Sequence, residues 1–79
     1  MGALGETNLV GIGVVIRLSS LELEILTWVS YGKRYGDISQ IKGMSENAVH
    51  QHVHNIMKKL NANSAAGAVG IALRKGIIK

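Results

Sequence analysis

Seventy-nine residues, 47% of them hydrophobic and 18% charged, with no cysteine and no proline, leave room for one small domain and not for two. A chain of this size buries only about 60% of the surface its unfolded form exposes, which excludes a deep enclosed active site, and the missing thiols exclude disulfides, zinc-finger ligand sets and cysteine nucleophiles. The formal charge of +4 is unevenly placed: from Lys33 onward eight basic residues stand against two acids, Asp37 and Glu46, a surplus that favours a polyanionic partner.

Residues 1–17 read as a linker or extended arm. The apolar run from Leu9 to Ile16 is too short to span a bilayer and lacks a basic flank, so no membrane partner is expected, and Gly11 and Gly13 are followed by no phosphate-loop lysine. Without a packing partner, such an arm points to a piece of a longer protein. Residues 18–79 read as the domain. Its first helix opens with a capping box, Ser19 and Glu22, stapled by Leu18 and Leu23, and carries Leu21, Ile25, Leu26, Val29 and Trp28 at helical spacing until Gly32 stops it. Lys33 to Tyr35 reads as a basic loop, and Asp37 to Ile41 as a short second helix ending before Gly43.

Ser45 caps a third helix in which Val49, Val53, Ile56, Met57 and Leu60 form one apolar stripe. Ser64 caps a fourth, Ala65 to Lys75, ended by Gly76. Its outward side is expected to hold Gly67, Gly70, Ile71 and Arg74, with Val69, Leu73 and Ile77 turned inward. The fold class is therefore all-α, four helices with a central helix-turn-helix, because only Gly43 and Met44 separate the second helix from the Ser45 cap.

At 100° per residue the pole of the third helix opposite its stripe carries Asn47, Gln51, His54 and Lys58, with His50 and Asn55 beside it. Amides and imidazoles read base edges in the major groove, so Asn47, His50, Gln51 and His54 are the candidate base contacts. Lys33, Arg34, Ser45, Asn55, Lys58 and Lys59 are the candidate phosphate contacts. The only aromatics are Trp28, Tyr31 and Tyr35, too few to stack single-stranded bases, so the expected partner is double-stranded DNA. Affinity is expected to fall several-fold between about pH 6 and pH 8, because DNA favours protonated His50 and His54.

The alternation of His50, His52 and His54 invites a metal reading. In a helix His52 points about 160° away from the other two, so neither a metal nor a cofactor is expected. No Ser/His/Asp set or carboxylate pair stands out, so an enzyme is not expected either.

The stretches LSSLELEILTW, YGKRYGDIS, MSENAVHQHVHNIMKKL and AVGIALRKGII, with the order of Glu22, Trp28, Gly32, Ile38, Ser45, Val49, His52, Asn55, Leu60 and Gly76, resemble the C-terminal DNA-binding domain of LuxR-type transcription factors. The resemblance covers Leu18 to Ile78. It implies a four-helix domain whose third helix enters the major groove, a homodimer through the fourth helix on a two-fold operator, and base reading by His50, Gln51 and His54; the absence of cysteine makes the cytoplasm the expected compartment. RNA polymerase is a further candidate partner. The KLNANSAAGAVGIAL end is similar to the quorum-sensing branch that answers acyl-homoserine lactones. Ala48 replaces a usual threonine, Ala65 a frequent arginine and Leu21 another, so the isolated domain is expected to bind weakly. The alternatives are a sigma-factor-like promoter-reading domain, which would bind core polymerase without a homodimer, and a helical protein-interaction module without DNA binding.

Overall fold

The computed structural model describes residues 17–79; the arm read over residues 1–17 lies, but for Arg17, outside the described residues. Four helices follow one another: α1 Ser20–Ser30, α2 Tyr35–Lys42, α3 Glu46–Leu60 and α4 Ala65–Arg74. There is no strand among the described residues.

Three of the four starts are set by local chemistry. The Ser19 hydroxyl accepts from the Glu22 backbone N–H at 3.1 Å while Glu22 Oε1 accepts from the Ser19 N–H at 2.8 Å, a closed capping box. Ser45 accepts from the Ala48 N–H at 3.0 Å and Ser64 from the Gly67 N–H at 2.9 Å. α2 departs from the sequence reading, since Tyr35 and Gly36, assigned to the loop or its edge, belong to its first turn. Its N-cap, Arg34, has extended backbone and no side-chain cap, so no local signal marked this start; the packing of Tyr35 against α3 holds it.

The turn between α2 and α3 is closed by backbone. Gly43 takes the left-handed conformation at φ 64°, and the Met44 N–H donates to the Ser39 carbonyl at 3.0 Å. Asn61, at φ 55°, ends α3 in the same way.

The core gathers Ile25 and Leu26 of α1, Ile38 of α2, Val49, Val53, Ile56 and Leu60 of α3, Ala68 and Ala72 of α4, and Ile78 beyond it. α3 is the central element and packs against each of the other three. Met57, placed in the stripe by spacing, is half-buried at its edge, and Trp28 is likewise half-buried, edge-on to Tyr31.

The face of α4 differs from expectation. Ala68 and Ala72 are its buried residues, Val69 and Ile71 flank them against the core, Ile77 beyond the helix is half-buried, and Leu73, expected inward, is 47% exposed. Ile71, expected outward, is half-buried against the core. The reason is steric: α4 meets both α1 and α3, and alanine methyls permit a close approach that leucine would prevent.

Candidate nucleic-acid interface

α3 projects its polar side from a firmly held base, because Val49 and Ile56 are fully buried and Val53 and Leu60 nearly so. Asn47, His50, Gln51, His54 and Lys58 are all exposed on it, and Asn55 is half-buried at its margin. The sequence-predicted base-reading residues thus share one solvent-facing strip.

Within that strip the side chains are not independent. Gln51 Nε2 donates to Asn55 Oδ1 at 3.3 Å, one turn along the helix. A primary amide has two N–H groups and a carbonyl, so this bond leaves Gln51 one donor and one acceptor, the pair that a bidentate contact to adenine uses. Asn55 thus gives the Gln51 amide one side-chain partner on the same helix.

His50 leans toward α2. Its ring meets Tyr35 edge-to-face with centroids 4.5 Å apart, and its Nε2 stands 3.7 Å from Glu46 Oε2. Neither neighbour was singled out from the sequence. The Glu46/His50 spacing of one helical turn was a usable signal, whereas the contact with Tyr35 depends on how α2 packs on α3. His52 lies half-buried on the opposite flank of α3, apart from the other two histidines.

Among the expected phosphate contacts, Lys33, Arg34, Ser45 and Lys58 are exposed. Ser45 and Lys58 lie at the start and end of α3, and Lys33 and Arg34 directly before α2. Lys59 is engaged elsewhere: its ammonium donates to Glu22 Oε1 at 2.7 Å, tying α3 to α1 across 37 residues. Burial pushes the Glu22 carboxyl up, but hydrogen bonds from Lys59 and the Ser19 backbone, with the Lys59 charge, pull it further the other way and leave it below its ordinary value of 4.5. Glu22 is thus both a cap and an inter-helix tie, and the second role had no sequence signal. Lys42 is similarly paired, with Glu24 at 2.8 Å.

A short helix, a tight turn closed by Gly43, and a longer helix with an exposed polar strip define a helix-turn-helix protein. Residues 17–72 match the family described as bacterial regulatory proteins, luxR family. The chain belongs to the LuxR family of bacterial transcriptional regulators, of which this stretch is the DNA-binding domain. It is similar to the uncharacterized transcriptional regulatory protein YxjL of Bacillus subtilis, 43% identical over 73% of this chain and 27% of that protein. It is also similar to a putative HTH-type transcriptional regulator, y4qH, of Sinorhizobium fredii, 39% identical over 91% of this chain and 22% of that protein. The transcriptional activator protein EsaR of Pantoea stewartii is 36% identical over 77% of this chain and 24% of its own length. The chain spans about a quarter of the length of these relatives.

Proposed function

We propose that residues 18–79 read duplex DNA in a sequence-specific way, with α3 in the major groove and a second copy of the chain paired through α4 on a two-fold site. The observation that carries this reading is the exposed strip of Asn47, His50, Gln51, His54 and Lys58 on a rigidly buried helix that directly follows the turn. Gln51, steadied by Asn55, and His54 are the central base contacts; Lys33, Arg34, Ser45 and Lys58 take phosphates. Lys59 is left to Glu22.

For pairing, the outward side of α4 is Ala66, Leu73 and Arg74, with half-buried Gly70 between them, small residues beside one exposed leucine. This replaces Ile71 with Leu73 as the apolar centre of the dimer and moves Gly67, half-buried beside the Ser64 cap, to its edge. So small a contact closes only when DNA holds both halves together. The resemblance of the Lys59 to Leu73 stretch to the acyl-homoserine-lactone branch supports a role in a quorum-sensing regulator acting in the cytoplasm. No described helix is long and apolar enough to cross a membrane.

The test is selection of bound duplexes from a random pool, followed by affinity measurements on the selected site and on random DNA. Gln51→Ala and His54→Ala are each expected to cost about 1 to 3 kcal/mol on the selected site and little on random DNA. Equal losses on both would remove α3 as the reading element.

A further inference from the structure

Gln51 differs from its neighbours on the strip by the partner it already has. Of Asn47, Gln51, His54 and Lys58, it alone makes a side-chain hydrogen bond among the described residues, with Nε2 donating to Asn55 Oδ1 at 3.3 Å. The two stand one turn apart on α3, a spacing at which glutamine and asparagine amides pair along a helix. Asn55 is half-buried at the margin of the strip and Gln51 is exposed at its pole, so of the two amides the glutamine is the one offered to a groove.

A primary amide carries two N–H groups and one carbonyl. Its bidentate edge for adenine is the carbonyl with the N–H beside it, accepting from N6 and donating to N7. Guanine presents two acceptors, N7 and O6, so the same amide makes a double contact there only by turning its NH2 end inward and donating both hydrogens. A glutamine without a partner has both options. We propose that Asn55 is a positioning residue that removes the second: by taking the N–H remote from the carbonyl, it leaves Gln51 the adenine edge and makes the double contact to guanine cost a hydrogen bond. This rests on the reading of α3 as the groove helix. With water displaced from the groove, a donor or acceptor left without a partner costs more than it does in the free domain, so a pair that is modest on the surface becomes selective there. Thymine and cytosine each offer this edge a single hydrogen-bonding group and satisfy only one of the two left on the amide. The DNA site therefore carries adenine at the base pair that faces Gln51.

The experiment is duplex selection with the 79-residue chain at fixed pH and ionic strength, followed by affinities for duplexes that differ only at the position whose preference is lost in Gln51→Ala. At that position the parent is expected to favour adenine over guanine about tenfold or more, and Asn55→Ala to lower the ratio to about twofold by admitting guanine, with the other positions read as before. Asn55→Asp keeps an acceptor for the Gln51 N–H and adds a negative charge, so it binds every duplex more weakly yet retains the parent's ratio. A residue that only supported the helix would not separate affinity from preference in this way. Circular dichroism confirms the fold of each variant, and Asn55→Leu, similar in size and without an acceptor, carries the test should Asn55→Ala unfold. A parent preference for any base other than adenine at that position, or an adenine preference unchanged in Asn55→Ala, overturns the proposal while DNA reading by α3 stands. So does a loss in Asn55→Ala that is uniform across all duplexes, which would make Asn55 a phosphate contact. A selection in which no position depends on Gln51 overturns the base contact on which the proposal rests, and no selected sequence at all overturns the reading of α3.

Discussion

Lys58 and Lys59 are adjacent in the chain and equal in formal charge, yet they face different surroundings, and replacing each with alanine separates a structural cation from one proposed to contact DNA phosphates. Lys58 is exposed at the end of the polar strip, whereas Lys59 donates to the carboxylate of Glu22, a residue only 6% exposed. Two limits bracket the cost of Lys59→Ala. Breaking a fully buried pair costs roughly 3 to 5 kcal/mol because a charge is left without a partner, while a surface pair contributes about 0 to 1. Here the carboxylate is buried but the lysine side chain is 45% exposed, and Glu22 keeps the Ser19 N–H as a second partner. The expected loss therefore lies between the limits, about 1 to 2 kcal/mol, equivalent to roughly 4 to 16 °C in Tm for a domain of this size. Lys58→Ala is expected to leave stability within about 0.5 kcal/mol. In DNA binding the order reverses: Lys58→Ala lowers the slope of log affinity against log salt by about one, and Lys59→Ala does not. Urea unfolding with unchanged m-values gives the first comparison and fluorescence anisotropy across a salt series the second. If both variants prove equally stable and both lower the slope, the Glu22 pair does not hold α3 to α1 and Lys59 rejoins the phosphate contacts.

Two further outcomes follow from the packing. Leu73→Asp is expected to abolish cooperative binding to paired half-sites about 10 bp apart while leaving the circular dichroism spectrum intact, because Leu73 is exposed; undiminished cooperativity would place the dimer contact elsewhere. The carboxyl of Glu22 is held below its ordinary value in the folded chain, so its ionisation stabilises the fold above the unfolded value near 4.5 and that contribution is lost as pH falls through the folded value. Glu22→Gln, which keeps an acceptor for the Ser19 N–H, is expected to flatten this part of the acid-unfolding curve, and a variant curve parallel to the parent's would count against the tie.

The features legible in the sequence are those whose partners lie within one helical turn. Ser19 and Glu22, Ser45 and Ala48, and Gly43 at the end of α2 each act on backbone three or four residues away, so spacing alone specifies them. The α3 stripe belongs to the same class, because burying Val49, Val53, Ile56 and Leu60 on one side dictates which residues look outward, and with them the candidate site. Tertiary structure decided the rest. α2 starts at Tyr35 without a cap because that ring has a place against His50, a contact supplied by another helix. α4 turns Ala68 and Ala72 inward, against the order of hydrophobicity, since the distance at which it meets α1 and α3 selects side chains by size. Lys59 and Glu22 are 37 residues apart, and no periodicity links them; only the packing of α3 on α1 brings the ammonium to the carboxylate.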